Sequence, residues 1–198
     1  MSIFNSLGSN YNFKIVWQTL FSSNDKQSRE ALNKYLEDKY EGQVTLVYKG
    51  RQAIEMGLKN LNLHTGSFVA INGFTCFAVY EAIKNAGLNA EYLDIEKGQL
   101  NFSPDTLQKA INKNPLIKVV IIQNTLGYPC EIDKIAQICK ENELTLIEDL
   151  AHSVGTKYEN GKEAGSVGDF VVLSFSQDKI IDCVSGGALI KRRKINER

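Results

Sequence analysis

Lys179 stands in the run SFSQDKIIDCVSGGALI, residues 174–190, between a Ser-Phe pair and a Gly-Gly pair. Most lysines are solvated surface charges. This one follows GDFVVLSF, an apolar, β-branched and aromatic stretch that predicts a buried strand. Lys179 therefore falls just past a strand's carboxyl end, where open α/β sheets do their chemistry. Upstream, the strand in LTLIEDL ends in Asp149, a carboxylate that is costly to bury without a cation or a strong donor, and His152 comes shortly after it. A third place is KGR, residues 49–51, which follows the strand VTLVY and opens a helix. Backbone N–H groups there are free to hold an anion, and Gly50 allows close approach. Each feature alone has an ordinary explanation: a solvated amine, a paired or capping carboxylate, a hydrogen-bonded turn histidine, a turn glycine. Together they form the set that pyridoxal phosphate catalysis uses. A lysine amine forms a Schiff base with the aldehyde, a carboxylate keeps the pyridine nitrogen protonated, and a helix N-terminus holds the phosphate. On this reading Lys179 is the Schiff-base lysine and later the base that moves a proton between substrate and cofactor carbons, and Asp149 is the pyridinium partner.

The elements that must position these residues follow a regular rhythm. A polar helix is predicted over SNDKQSREALNKYLEDKY, with Ser23 or Asn24 as its N-cap. The strand VTLVY, the amphipathic RQAIEMGLKNLNL and the strand SFVAING come next. A helix in AVYEAIKNAG, a strand in AEYLDI, a helix in SPDTLQKAINK capped by Ser103 and the strand IKVVIIQN continue the pattern. EIDKIAQICKENE then supplies a helix before the strand LTLIEDL. This alternation predicts an α/β fold, a three-layer α/β/α sandwich with a mainly parallel sheet joined by right-handed crossovers.

Composition excludes several alternatives. The 198 residues are 43% hydrophobic, and 23 basic residues balance 23 acidic ones, so no charge field points to nucleic acid. The basic KRRKINER at the end is expected to be solvated. No apolar run reaches the length of a membrane helix, and MSIFNSLGSNYNFK has no signal-peptide core, so a cytoplasmic location is expected. Cys76, Cys130, Cys139 and Cys183 show no CxxC pairing, and His64 and His152 lack metal spacing; free, mostly buried thiols and no metal site are expected.

The run IEDLAHSVGTKYENGKEAGSVGDFVVLSFSQDKIIDCVSGGALI resembles the DegT/DnrJ-type aminotransferases, fold-type-I pyridoxal phosphate enzymes that mostly make amino sugars on nucleotide carriers. It shares their E-D-x-A-[QH] turn, G-x-x-G-D step, S-F-x-x-x-K motif and following Gly-Gly. The likeness extends back through YKGRQAIEMGLKNLNLHTGSFVAINGFTCFAVYEAI and IIQNTLGYPCEIDKI, covering Val44 to Ile190. It implies Lys179 as the Schiff-base lysine, Asp149 on the pyridine nitrogen, His152 beside the ring or its 3-hydroxyl, and Ser174 with the backbone of Gly50 and Arg51 at the phosphate. Asn124 takes the place where the family often has histidine, facing the same pocket. Lys49, Gly50 and Arg51 replace the usual Ser-Gly-Thr turn, which trades a hydroxyl for a guanidinium. Where many members stack an aromatic ring over the cofactor this chain has Cys76, with Phe77 next; either side chain can take that place.

Family members are roughly twice as long. The resemblance therefore implies an N-terminal helical segment (1–42), an incomplete cofactor-binding large domain (43–198) and an absent C-terminal small domain. The implied activity is transfer of an amino group from glutamate to a nucleotide-linked keto-sugar, in polysaccharide biosynthesis, by an enzyme that is a homodimer at full length. Two alternatives stand beside it: a pyridoxal phosphate enzyme of another type (lyase, desulfurase or dehydratase), and a non-catalytic remnant or binding module of the same fold. Lys179 argues against the dehydratase branch, which replaces this lysine with histidine.

Overall fold

A computed structural model describes residues 13–21, 26–177 and 179–192. Ser23 and Asn24 lie outside the described residues. The elements run α1 (Phe13–Leu20), α2 (Lys26–Tyr40), β1 (Gly42–Val47), α3 (Gly50–Lys59), β2 (Phe68–Asn72), α4 (Phe77–Asn85) and β3 (Asn89–Leu93). They continue with α5 (Pro104–Lys113), β4 (Ile117–Ile122), a 3-10 turn (Thr125–Gly127), α6 (Ile132–Glu141), β5 (Thr145–Asp149), β6 (Phe170–Ser174) and β7 (Gly187–Arg192). Seven strands form one sheet in the order β1-β7-β6-β5-β4-β2-β3. From β6 to β3 all neighbours are parallel, as the strand-helix alternation predicts.

Period-2 alternation assigns the two faces. Val120 and Ile122 of β4, Leu146 of β5, and Val171 and Leu173 of β6 join a core with Leu36 and Tyr40 of α2, Leu107 of α5 and Ile135 of α6. Val119, Ile121, Ile147, Phe170 and Val172 point the other way, onto Ile54 and Leu58 of α3 and Val79 and Ile83 of α4. Both faces of the central strands are covered, which explains their unbroken apolar runs. Ser103 caps α5 as its sequence predicts, its Oγ accepting from the Thr106 N–H at 3.2 Å, with Pro104 at the first turn.

The sheet departs from expectation at its far end. GALIKR forms β7, antiparallel to both β6 and β1 and wedged between them. Its first residue has little room: a Cβ on Gly187 would lie 2.7 Å from Leu173 O and 2.9 Å from Gly50 N. Gly187 thus lets β7 start hard against the N-terminus of α3. Arg192, expected in a solvated end, is instead buried. Its Nε donates to Tyr40 O at 3.2 Å and its Nη1 to Gly168 O at 3.3 Å, which ties β7 to the end of α2. Cys130 and Cys139 are buried and Cys76 and Cys183 exposed, none of the four in a disulfide. Among the described residues no cluster could hold a metal ion, and no helix is long and apolar enough to cross a membrane.

The acidic pair ending β5 splits between the two faces. Glu148, fully buried, points to the α2/α5/α6 side. Its Oε2 accepts from Tyr158 Oη and Gly165 N, each at 2.7 Å, and its Oε1 from Val167 N at 2.8 Å and Gly168 N at 2.5 Å. Four donors compensate its burial and fold the 150–168 segment back against the sheet. Glu148→Ala leaves those donors without an acceptor and should cost ~3 kcal/mol or more, against about 1 kcal/mol for Tyr158→Phe. Urea unfolding of both variants checks this; equal stabilities would show that Glu148 does not organise the segment.

Candidate active site at the carboxyl ends of the strands

The site forms where β4, β5 and β6 end and the first turn of α3 and the loop before α4 converge. One cavity, of about 60 Å3, is lined by Gly50, Arg51, Cys76, Gln123, Asp149, His152, Ser174 and Lys179 among others. A second space of about 220 Å3 shares Cys76, Gln123 and His152 with it and reaches Phe74, Thr75, Thr125 and Leu126. Six of the eight residues singled out in the sequence therefore line one cavity, although they come from distant parts of the chain. The parity of each strand explains this. Asp149 follows Ile147, and Ser174 follows Val172, on the face covered by α3 and α4.

Lys179 lies on the segment joining β6 to β7, half-buried, with its backbone N–H donating to Ser176 O at 3.2 Å. Its Nζ is 3.1 Å from His152 Nε2. If the amine donates, Nε2 must be the bare nitrogen of a neutral ring. Burial and the neighbouring Lys179 both lower the pKa of His152, which favours that neutral form. Asp149 is buried; its Oδ1 accepts from Ala151 N at 3.0 Å and its Oδ2 from Gln123 Nε2 at 3.3 Å. Burial raises the Asp149 pKa, against lowering contributions from these two hydrogen bonds and from Lys179.

At the other end, Lys49 extends into the start of α3 and no side chain caps that helix. A Cβ at Gly50 would sit 2.8 Å from Ser174 Cβ and 3.1 Å from its Oγ, so glycine brings the helix N-terminus directly against that hydroxyl. The Arg51 guanidinium is turned away to form an ion pair with Glu81 of α4. Arg51 thus lines the cavity from the first helical turn while its guanidinium is paired with Glu81.

Two expected residues are not brought into the cavity. Phe77 opens α4 and is 70% exposed, its ring 5.5 Å from that of Tyr80, while Cys76 before it lines both spaces. Asn124 is fully buried with left-handed backbone (φ 48°). Its Nδ2 donates to Tyr158 Oη at 2.8 Å and its Oδ1 accepts from Cys130 N at 3.0 Å, so it braces the opposite face. Gln123, not singled out in the sequence, faces the cavity instead. Its signal was present: Val119, Ile121 and Gln123 share one parity, and Ile121 pairs with Ile147, which brings Gln123 beside Asp149.

The raised Asp149 pKa fixes a pH dependence. A carboxyl whose folded pKa exceeds its unfolded one favours folding fully below the unfolded value, and that contribution is lost as pH rises through the folded value. In ligand-free protein the stability of wild type relative to Asp149→Asn should therefore fall from acidic to neutral pH. Urea melts across that range check the sign; a relative gain toward neutral pH would mean that the carboxylate is well compensated without a ligand.

The DegT/DnrJ/EryC1/StrS aminotransferase family matches this chain over residues 16–196. GDP-perosamine synthase of Escherichia coli O157:H7 is 31% identical over 89% of this chain and 48% of its own length. The dTDP-4-dehydro-2,3,6-trideoxy-D-glucose 4-aminotransferase of Saccharopolyspora spinosa is 31% identical over 73% of this chain and 37% of its own. The aminotransferase of Psychrobacter cryohalolentis superposes with a TM-score of 0.79 at 21% identity, covering 91% of this chain and 46% of that one, a likeness of fold. The chain spans less than half the length of these relatives. With its family matched across nearly all its residues, the chain belongs to the DegT/DnrJ/EryC1/StrS aminotransferases.

Proposed function

We propose that this chain carries the cofactor-binding part of a pyridoxal phosphate-dependent aminotransferase that moves an amino group from glutamate to a nucleotide-linked keto-sugar. The observation that carries the reading is that a buried carboxylate, Asp149, and a half-buried amine, Lys179, line one cavity together with the uncapped first turn of α3. The residues fit this cofactor in three respects. Gly50 and Ser174 leave a cradle that any Cβ would fill, with helix N–H groups and a hydroxyl to receive a phosphate. Asp149, its pKa raised by burial, offers a carboxylate that a protonated ring nitrogen would relieve. Lys179 supplies an amine within the same space.

When bound, the cofactor supplies an electrophilic aldehyde carbon and a ring that accepts the electron pair released from a substrate carbon. The chain's residues do the rest. Lys179 Nζ would hold the aldehyde and would serve as the base that carries the proton released at the substrate carbon. His152 Nε2, at 3.1 Å, holds that amine in the cavity. Asp149 would keep the ring nitrogen protonated, and Ser174 with the Gly50–Arg51 turn would receive the phosphate. The adjoining space of about 220 Å3 beside Thr75 and Leu126 gives the substrate carbonyl its approach.

The GDP-perosamine synthase and the dTDP-keto-sugar 4-aminotransferase among the relatives support a nucleotide-sugar acceptor. The free cysteines suit a reducing cytoplasm. Exposed Phe74 and Leu126 at the cleft rim supply apolar surface that a second subunit would cover in a full-length homodimer. Loaded protein mixed with L-glutamate alone should release 2-oxoglutarate in stoichiometric amount and lose its visible absorbance, and Lys179→Ala should do neither. No keto acid released from any of a panel of amino donors would remove the aminotransferase reading.

A further inference from the structure

We infer that Gln123, held by Thr75, is a positioning residue that keeps the Asp149 carboxylate ionised and aimed at the ring nitrogen of the cofactor. This inference rests on the proposed function. Gln123 joins two side chains: its Nε2 donates to Asp149 Oδ2 at 3.3 Å, and its Oε1 accepts a short hydrogen bond from Thr75 Oγ1. An amide has one donor end and one acceptor end, so the two contacts are coupled. With Thr75 donating to Oε1, the NH2 group must face Asp149, and an NH2 group favours the ionised carboxylate. A flipped amide would turn its carbonyl toward Asp149 and favour the protonated acid, which cannot hold a proton on the ring nitrogen.

The surroundings make this contact consequential. Asp149 is 3% exposed, and its other oxygen is occupied by Ala151 N at 3.0 Å. Among the described residues, Lys179 is the charged group that acts on it. Lys179 is engaged with His152, and the Arg51 guanidinium is paired with Glu81. Gln123 is thus the side chain that hydrogen-bonds the carboxylate directly, and among the contributions opposing the burial-driven rise of the Asp149 pKa its hydrogen bond stands second, after the Ala151 N–H. Gln123 is itself fixed from a third side, since its backbone oxygen accepts from the buried Ser153 Oγ at 3.1 Å. Thr75 lies on the loop before α4 and lines the larger space, so the relay ties the orientation of Asp149 to the loop at the substrate's approach.

The test compares binding of two probes: pyridoxal 5'-phosphate and its carbocyclic analogue with C–H in place of the ring nitrogen. Dissociation constants are measured by fluorescence on the purified protein. Wild type should prefer pyridoxal phosphate, and Gln123→Leu should reduce that preference about tenfold, the size of one hydrogen bond to a charged group, while leaving the analogue's affinity unchanged. Thr75→Val should reduce it in the same direction and Thr75→Ser should retain it; this pair decides the matter if Gln123→Leu does not fold. Equal weakening toward both probes would mark Gln123 as merely structural and overturn the inference. A preference intact in Gln123→Leu and Thr75→Val would overturn it while leaving the proposed function standing. No preference in wild type would overturn both, because Asp149 would then not face a ring nitrogen.

Discussion

Burying two adjacent carboxylates at the end of β5 is the constraint on which the rest of this structure depends. Because successive side chains of a strand point to opposite faces, Glu148 and Asp149 cannot share partners. Glu148 is answered from within the chain, by the Tyr158 hydroxyl and three backbone N–H groups. Among the described residues Asp149 receives Ala151 N and Gln123 Nε2, and burial raises its pKa. One acid is therefore structural and saturated. The other is left short of positive charge, facing a cavity, which is the arrangement a cationic ligand group would complete.

The same division runs through neighbouring strands. At the end of β4, Asn124 turns to Tyr158 and so joins the Glu148 side, while Gln123 turns to the cavity and joins Asp149. At the end of β6, Ser174 stands on the cavity side against Gly50. The saturated side holds the 150–168 segment, and with it His152, in place. His152 in turn meets Lys179, so the amine's position is set through the loop that Glu148 organises. Structure and candidate chemistry are linked through one strand end.

Much of this was legible in the sequence. The 3.6- and 2-residue periodicities gave the helices and parallel strands; strand-end reasoning pointed to Lys179, Asp149, His152, Gly50 and Arg51, the family resemblance added Ser174, and all six line one cavity. What escaped did so for physical reasons. β7 starts at Gly187, and its antiparallel place between β6 and β1 is not written in the strand-helix alternation; the close approach of Leu173 and Gly50 explains why glycine is needed there. Arg192 read as solvated because its partners, the carbonyls of Tyr40 and Gly168, are distant in sequence. Asn124 is singled out by likeness to a motif, whereas strand parity, counted from Val119 and Ile121, points to Gln123. Phe77 and Cys76 are equal candidates in the sequence; the first turn of α4 turns the phenyl ring outward toward Tyr80, while Cys76 lines the cavity.

The central claim is that Lys179, and no other of the chain's lysines, holds the cofactor in the cavity that Asp149 faces. Peptide mapping by mass spectrometry after pyridoxal phosphate loading and borohydride reduction tests it most directly. The account predicts the phosphopyridoxyl group on the peptide containing Lys179, at stoichiometric yield. Modification distributed over surface lysines, or concentrated at a residue outside the cavity such as Lys49 or Lys59, would contradict it.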